Sequence, residues 1–543
     1  MDKDAYIIQL ENRISELENR SKDAYIAELL STIKSLERQI ENLTEMFLLM
    51  RRQKFGSSSE KTNRDVIDEQ LNFFNEAEVE YVEDSKEPIE KTPDGYSNKK
   101  SKKRRGEIIR NIPVAEVLCE IMDEDLYCEQ CGCGLKPLGK ETVREELEYI
   151  PAKLRILRYV RMSYECPKCK HTEKPYITKA YSPTPLMNHS LASPSSVANV
   201  MYQKYVNSMP LHRQEQEWQR LGISLSRGTM ANWVIRCSED YFTPVINYFH
   251  KELLKRDIIH SDESPFQVLK EEGKKPQADS YMWLHRSGND GKPPIILYDY
   301  RPSRRGSNVV DYLKGFTGYH HSDGFSGYNK LKGVTRCGCW AHLRRKFIEA
   351  IPGKRKKGPP LTKAEIGRNY CNKLFMIEEE LKELTPEERY EKRLELERPV
   401  LDEFWSWLES LRPLKGSALS KAVTYAINQK PYMENYLLDG RCSISNNSAE
   451  NSIRPYAVGR KNWLFADTPK GASASAAVYS IVETAKANNL DVLRYLEYLL
   501  LYMPDTDYLN YPEMLEDLMP WSEESQTKFR ENTESAKKQS ESA

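Results

Sequence analysis

Three acidic residues stand at positions where folding could bring their carboxylates together. Asp262 and Asp323 each follow a short apolar run typical of a strand, and Glu450 lies in an arginine-containing helical pattern. Two carboxylates at strand ends and a third on a helix supply hard oxygen ligands for a pair of Mg²⁺ ions, with positions left for water and phosphate. Taken singly, an Asp before Gly is usually a turn residue, and a Glu beside Arg is usually a surface ion pair. The three together predict metal-assisted chemistry at a phosphate.

Amide and cationic side chains surround the third carboxylate in the sequence. Helical residues four apart share a face, so Glu450 and Arg454 can both point to the site, as metal ligand and phosphate clamp. Asn446 and Asn447 precede them and can cap the helix, which makes them candidate accessory residues of the site. Two further predicted DNA contacts of this segment are Arg460 and Lys461.

The segment CGCWAHLRR, residues 337–345, allows two interpretations. Cys337, Cys339 and His342 could bind a metal, but C-x-C-x-x-H offers three soft ligands without a clear fourth nearby. Phosphate contacts by Arg344 and Arg345, with His342 near the scissile phosphate, fit the segment better. The second interpretation is therefore favoured.

Two C-x-x-C pairs indicate a zinc site in a module that spans residues 108–180. Cys128 with Cys131, and Cys166 with Cys169, can turn four thiolates toward one tetrahedral ion. More residues separate the pairs than the roughly 15 to 20 of a usual zinc ribbon, but the alternating pattern between them is typical of a hairpin that returns the second pair. Cys133 could compete for a ligand position, and free buried thiols are the alternative. We predict one structural Zn²⁺ without a catalytic role.

The composition excludes several classes of protein. The chain has 543 residues with 81 Lys and Arg against 81 Asp and Glu, so a uniformly basic nucleic-acid coat is excluded. The longest apolar run, near Tyr498, is far shorter than the ~20 residues of a membrane-spanning helix. The first residues lack the features of a secretory signal, which predicts a cytoplasmic protein that is nucleoid-associated when bound to DNA. The length predicts roughly three to four domains.

Residues 1–55 follow a heptad pattern. Apolar residues from Leu29 to Phe47 recur in steps of four and three, which is typical of a dimerising coiled coil. An amphipathic helix packed on its own protein is the alternative. Residues 56–107 lack this periodicity and predict a flexible charged linker. Its basic run, residues 99–105, is either a solvated tail or an arm that contacts DNA phosphates.

Periodicity divides the rest of the chain into further domains. Residues 181–252 are helical in pattern, and the two runs around Gly222 are typical of a helix-turn-helix that binds DNA. Three packed helices without a ligand are the alternative. The remaining predicted domains are a catalytic core at 253–351 and 441–503, a helical insertion at 352–440, and an acidic tail at 504–543 that we expect to be disordered.

Several motifs, taken in their order along the chain, resemble one family. They are R-R-x-x-F-G from Arg51, the paired C-x-x-C, D-E-S-P from Asp262, D-G-x-x-G-Y-N from Asp323, C-W-A-H-x-R-R-K-F from Cys339 and N-N-x-A-E-x-x-I-R-P-x-x-x-G-R-K-N-W-L-F from Asn446. In this combination the chain resembles the transposases of the insertion sequence 66 (IS66) family, of the bacterial DDE class with an RNase H-like core. The resemblance implies that Asp262, Asp323 and Glu450 form the catalytic triad. Members usually carry Asp where this chain has Ser445; because we assign the ligand role to Glu450, an intact site is expected.

The expected fold is multidomain α+β: an N-terminal coiled coil, a zinc-ribbon-like module, a helical DNA-binding segment, and an RNase H-like α/β core interrupted by a helical insertion. The expected activity is binding of transposon ends, then DNA cleavage and strand transfer with two catalytic Mg²⁺ ions that Mn²⁺ can replace. The expected partners are double-stranded DNA of the ends and the target, a second copy of the chain, and accessory proteins from the same element. Two alternatives remain: an inactive zinc-containing DNA-binding regulator, and an RNase H-like nuclease without strand transfer.

Overall fold

The computed structural model describes residues 7–15, parts of 22–39, 153–166, 177–351 and 361–530. Three of the four predicted zinc ligands, Cys128, Cys131 and Cys169, lie outside the described residues, as do the predicted linker and its basic run. The chain forms two compact units, of which the smaller is Gly56–Ile156. The larger unit contains all the helices and strands of the described residues.

The described part of the N-terminal region is helical. Residues 7–15 and 24–33 form helix. Apolar side chains of the predicted seam are exposed along both stretches, including those of Leu10, Ile14, Leu29 and Ile33. The helix therefore agrees with the heptad pattern, and its pairing with a second helix stays a prediction.

A short antiparallel ribbon follows at the end of the predicted zinc module. Strand β1 (Ser163–Glu165) pairs with β2 (Ile177–Lys179). The predicted zinc ligand Cys166 directly follows β1 and is half-buried. The ribbon is the described part of the module, and its metal content stays a prediction.

Four helices occupy the segment predicted to bind DNA. They are α1 (Pro194–Tyr205), α2 (Leu211–Arg220), α3 (Arg227–Cys237) and α4 (Thr243–Leu253), with a π-helical turn at Ser238–Phe242 between the last two. Gly222 lies in the turn after α2 at a φ of +93°, a conformation that glycine adopts without a steric cost. The Ser226 side chain then accepts a hydrogen bond from the Thr229 backbone N–H at 3.1 Å and caps α3. Two helices joined by a turn are thus present where the sequence predicts them.

A mixed sheet forms the centre of the molecule. Its strands are β3 (Ile258–Val268), β4 (Asp279–Ser287), β5 (Ile296–Arg301), β6 (Gly318–His321), β7 (Val334–Cys337) and the two-residue β8 (Phe465–Ala466). The strand order is β5-β4-β3-β6-β7, and β8 pairs with the far end of β3. The β3-β4-β5 side is antiparallel, whereas β3, β6 and β7 run parallel. Strand β3 therefore lies where the two halves of the sheet meet.

Helices cover the sheet and build the insertion. They are α5 (Gly306–Tyr312), α6 (Trp340–Ala350), α7 (Lys363–Glu380), α8 (Pro386–Leu396), α9 (Arg398–Ser410), α10 (Ala418–Met433), α11 (Asn447–Trp463), α12 (Pro469–Ala487), α13 (Val492–Tyr502) and α14 (Glu523–Phe529). Helices α7 to α10 form the predicted insertion, and their apolar core includes Trp340, Phe347 and Phe404. The same core contains Ile258 and Cys337 of the sheet, so the insertion packs directly on the strands.

Two features of the chain from the end of α11 onward differ from what the sequence pattern indicates. The segment NWLFAD, residues 462–467, has a strand-like pattern, but α11 continues to Trp463 and only Phe465 and Ala466 form a strand, β8, beside β3. The expected disorder from residue 504 fails for residues 504–530, which contain a 3-10 helix at Pro512–Leu518 and α14. Four of their apolar side chains, including those of Leu518 and Phe529, are buried in the main core, and this burial outweighs the acidic composition. Within the described residues, no helix is long and apolar enough to span a membrane.

Candidate active site

The parallel pairing of β3 and β6 places two of the predicted carboxylates side by side. The pairing ends where His260 lies opposite His321, and Asp262 and Asp323 each follow two residues later. Side chains two residues apart point to the same face of a strand, so both carboxylates share one face. Asp262 lies within β3 instead of at its end as expected, because β3 remains paired with β4 up to Gln267. Beyond His321 the chain no longer pairs with β3, so the two strands separate where the carboxylates face each other.

The charges of the other two predicted carboxylates act on Asp262, which places all three in one region. Burial raises the pKa of Asp262 well above its usual value, and the negative charges of Glu263, Asp323 and Glu450 raise it further. The pKa of the neighbouring Glu263 is raised by burial and then by Asp323. A concentration of carboxylates without an equal number of cations favours binding of a multivalent cation.

The turn that presents Asp323 is fixed by a buried arginine. Arg336, 6% exposed, donates to the Ser322 hydroxyl at 3.1 Å and also to the Asp323 carbonyl. The Asp323 carboxylate accepts a hydrogen bond from the Phe325 backbone N–H at 2.9 Å. A side chain on Gly324 would lie 2.5 Å from the ring of Tyr425, so the insertion contacts this turn where only glycine fits. No sequence pattern identifies Arg336 as a site residue, because its role depends on contacts that only folding creates.

Glu450 lies in the first turn of α11 and faces α6. Its Oε2 accepts a hydrogen bond from Arg345 Nη2 at 3.2 Å, and its Oε1 is 3.5 Å from His342 Nδ1. Both Oε1 and Nδ1 are buried without a hydrogen-bond partner in the described part of the chain. Burial lowers the pKa of His342, and the negative charge of Glu450 opposes this shift. His342 and Arg345 therefore lie beside Glu450, and their predicted roles at a phosphate stay predictions.

Asn446 connects α11 to β3. It occupies the N-cap position of α11, but its side chain makes no capping hydrogen bond, contrary to the expected role. The amide instead donates to the Ser261 carbonyl at 2.8 Å, and its Oδ1 is 3.0 Å from His260 Nδ1. The Asn446 backbone N–H donates to Cys339 Sγ at 3.2 Å. These bonds fix the distance between the elements that carry Asp262 and Glu450.

The two adjacent asparagines provide a matched pair of variants. Asn446 is buried at 1% exposure, whereas the side chain of Asn447 is exposed. Asn446→Ala is expected to destabilise the fold by about 1–3 kcal/mol, because it leaves the buried Ser261 carbonyl without its partner. Asn447→Ala is expected to change the free energy of unfolding by under about 0.5 kcal/mol. Urea unfolding followed by circular dichroism measures both, and equal effects would contradict the bridging role of Asn446.

The other predicted DNA contacts have diverse surroundings. Arg344 Nε donates to Asn372 of α7 at 2.6 Å, so this side chain is engaged with the insertion. Arg454 and Lys461 are exposed on α11. Arg460 is half-buried and contributes to a small cavity with Trp463. Their contact with DNA stays a prediction.

The two cysteines of the C-x-C segment point to different places. Cys339, the N-cap residue of α6, lies with His342 and Glu450, and Cys337 at the end of β7 lies with His321 and Cys442. The change from strand to helix between them breaks the alternation that would have kept both on one face. The single C-x-C-x-x-H metal site, already disfavoured from the sequence, is therefore not formed.

Comparison with known proteins identifies the family. The model of the Transposase IS66 family matches residues 189–474, which is more than half of the chain. The chain belongs to this family. Three further IS66 models match: the zinc-finger binding domain at residues 125–170, the C-terminal element at residues 480–521, and the Transposase C of IS166 homeodomain at residues 42–117. The C-terminal match includes residues 504–521, the first part of the segment predicted to be an acidic tail.

Relatives of this IS66-family protein occur in Sinorhizobium fredii (strain NBRC 101917 / NGR234). Uncharacterized protein y4qI is 26% identical over 503 residues, which cover 89% of each chain. Uncharacterized protein y4hP is 27% identical over 424 residues, which cover 74% of each chain. Uncharacterized protein y4jD is 26% identical over 433 residues, or 77% of this chain and 81% of the relative. The similarity to these relatives therefore extends well beyond the sheet and its carboxylates.

Proposed function

We propose that this IS66-family protein is a DDE transposase that binds the ends of a bacterial insertion sequence and catalyses Mg²⁺-dependent cleavage and strand transfer of DNA. The proposal is carried by the convergence of Asp262, Asp323 and Glu450 from two strands and a helix. Three mutually repelling carboxylates have no use in a regulator that only binds DNA. The inactive alternative is therefore disfavoured.

The sheet supports an RNase H-like catalytic core. A long central strand has an antiparallel neighbour, β4, on one side and a parallel neighbour, β6, on the other. The two aspartates lie on the parallel side, and the insertion separates them in sequence from the helix that carries Glu450. This arrangement is the one that the family resemblance implies.

The carboxylates fit hard divalent cations. Asp262, Asp323 and Glu450 would hold two Mg²⁺ ions, or Mn²⁺ in their place, and the buried Glu450 Oε1 without a hydrogen-bond partner suits a cation ligand. When bound, the ions would supply an activated oxygen nucleophile and stabilise the leaving 3′-oxygen at phosphorus. The chain itself positions the carboxylates through Asn446 and Arg336, next to the point where the pairing of β3 and β6 ends.

Side chains beside the carboxylates would bind and orient the DNA. Arg345, 47% exposed, can leave Glu450 and contact a phosphate, because a bound cation would neutralise that carboxylate. Arg304 binds Glu263 and lies 4.0 Å from Asp323, so it is a second phosphate contact at the opposite side of the site. The His342 Nδ1, 3.5 Å from Glu450 Oε1, can accept a proton when the imidazole is neutral. Recognition of the ends is assigned to α3 and to the basic segments.

A strand-transfer assay tests the function. Full-length protein is incubated with Mg²⁺ and a labelled fragment carrying the native element ends, and both nicked and joined products are scored. Both products are expected. Nicking without joining would favour the nuclease alternative, and end binding without either product would favour the inactive regulator.

The cysteine module is proposed to bind one structural Zn²⁺ through Cys128, Cys131, Cys166 and Cys169. Four thiolates complete a tetrahedral zinc site, and a module with little apolar core depends on the ion for its fold. Cys166→Ser is expected to release one equivalent of zinc per chain in elemental analysis. Cys133→Ser should retain it; equal loss from both variants would contradict the ligand set. We also propose that two chains form a homodimer through a coiled coil of residues 28–48, which does not require the zinc ion.

A further inference from the structure

A second group of soft donors lies at the paired ends of β6 and β7. His321 ends β6, Cys337 ends β7 directly opposite it, and Cys442 lies in the segment that leads to α11. Each is no more than 1% exposed. A nitrogen of His321 and the sulfur atoms of both cysteines lie within 4.8 Å of one another. Three chain segments that are distant in sequence thus present ligand atoms to one point.

His321 provides an independent indication of a missing ligand. Its ring is buried, yet within the described structure neither Nδ1 nor Nε2 has a hydrogen-bond partner. Its ring stacks on that of His260 at 4.3 Å between centroids, but stacking gives neither ring nitrogen a hydrogen bond. Buried polar groups almost always have partners, so this imidazole is prepared for a ligand that approaches a ring nitrogen.

We propose that His321, Cys337 and Cys442 bind a thiophilic cation, Zn²⁺ or Cu⁺. Two thiolates and one imidazole are the donors that these ions prefer, and both thiols would release their protons on binding. Arg393 donates to the Cys442 carbonyl at 2.8 Å, and its ion pair with Glu378 reduces the repulsion between its positive charge and the cation. The soft donor set distinguishes this site from the carboxylate site, which suits hard cations.

The bound cation would have a positioning role for the proposed active site. It would tie the end of β6 to β7 and to the chain before α11, which are elements that carry Asp323 and Glu450. His321 lies two residues before Asp323, and Cys442 precedes the first turn of α11, which contains Glu450. No contact with DNA is needed for this role, so the inference can succeed or fail independently of the proposed function.

Thiol protection in the unaltered full-length protein is the direct test. Metal-free protein, kept reduced with a phosphine, is compared with protein loaded with Zn²⁺ alone or Cu⁺ alone, and alkylation of each cysteine is followed by mass spectrometry. We expect at least a tenfold slower alkylation of Cys337 and Cys442 with one of the ions. Cys371, buried in α7 outside this group, should react at the same rate in all samples. Unchanged rates at Cys337 and Cys442 with both ions would overturn the proposal.

Metal stoichiometry is a second test, and it distinguishes metal bound at this site from zinc bound by the cysteine module. Cys337→Ser/Cys442→Ser is expected to bind one equivalent fewer of the protecting ion than the unaltered protein, and the loss should add to that of Cys166→Ser. Cys371→Ser is the matched control for a buried cysteine and should lose none. If the double variant does not fold, as judged by circular dichroism, the thiol protection of the unaltered protein decides. Full stoichiometry in a folded double variant would contradict the site.

Discussion

Asp323→Asn is expected to reduce DNA cleavage and strand transfer by at least about 10³-fold while leaving binding of the element ends nearly unchanged. The substitution removes one negative charge from the site where Asp262, Asp323 and Glu450 converge, and thereby weakens the pair of cations that the proposal requires. End binding rests on other residues, so its dissociation constant should change by less than about twofold. Gel-based cleavage and joining with labelled ends, together with a binding titration, measure both quantities.

Asp299→Asn is the matched control. Asp299 lies on β5, two strands away from β3, and its carboxylate pairs with Arg301 at 2.5 Å. This variant should retain most activity. Robust cleavage by Asp323→Asn in Mg²⁺ would remove the enzyme assignment from this site, and an equal loss of end binding would show that the substitution had damaged the fold.

The two other carboxylates should behave as part of the same unit. Asp262→Asn and Glu450→Gln are expected to cause losses similar to that of Asp323→Asn. Double variants should be little worse than single ones, because groups that act together are non-additive. Additive losses would instead indicate that the three residues contribute to separate steps.

Local patterns were sufficient to predict which carboxylates meet. Asp262 and Asp323 follow apolar runs, and equivalent positions on adjacent parallel strands share a face once the strands pair. Glu450 was assigned from its place near the start of a helix, and α11 begins three residues before it. These features depend on periodicity over a few residues, which a sequence displays directly.

Contacts between distant segments could not be predicted in this way. Cys442 meets Cys337 and His321 only because the insertion returns the chain to the sheet. Asn446 is the N-cap residue of α11, as the capping rule predicts, but its side-chain amide donates to the Ser261 carbonyl of β3 and makes no capping hydrogen bond. The acidic composition of the segment after α13 predicts disorder, but four of its apolar side chains are buried, so the segment is folded. These four side chains are those of Leu515, Leu518, Met519 and Phe529.

A buried arginine joins the insertion to the chain that enters α11. Arg393 of α8 is 1% exposed and forms two hydrogen bonds with the Glu378 carboxylate, at 2.6 and 2.7 Å. It also donates to three backbone carbonyls. These belong to Tyr436 at 3.0 Å, Asp439 at 3.2 Å and Cys442 at 2.8 Å. Helix α8 therefore holds the segment between α10 and α11 in place through one guanidinium.

Arg393→Met is expected to lower the free energy of unfolding by about 3–5 kcal/mol, because it leaves a largely buried carboxylate and several carbonyls without partners. The adjacent Lys392 provides the control. Its side chain is 50% exposed and its ion pair with Glu395 lies at the surface, so Lys392→Met should cost under about 1 kcal/mol. Chemical unfolding monitored by circular dichroism gives both values, and similar losses would contradict the central role of Arg393.

Glu378→Gln distinguishes two effects of Arg393→Met: the unpaired charge of Glu378 and the lost hydrogen bonds to the backbone carbonyls. In the Arg393→Met background it removes the unpaired carboxylate, so part of the lost stability should return, about 1–2 kcal/mol. The carbonyls of Tyr436, Asp439 and Cys442 remain without their donor, so recovery should be incomplete. Because these carbonyls lie in the segment that leads to Glu450, cleavage should stay impaired in the double variant even under conditions where it is folded. Full recovery of both stability and cleavage would show that Arg393 acts only by neutralising Glu378 and does not position α11.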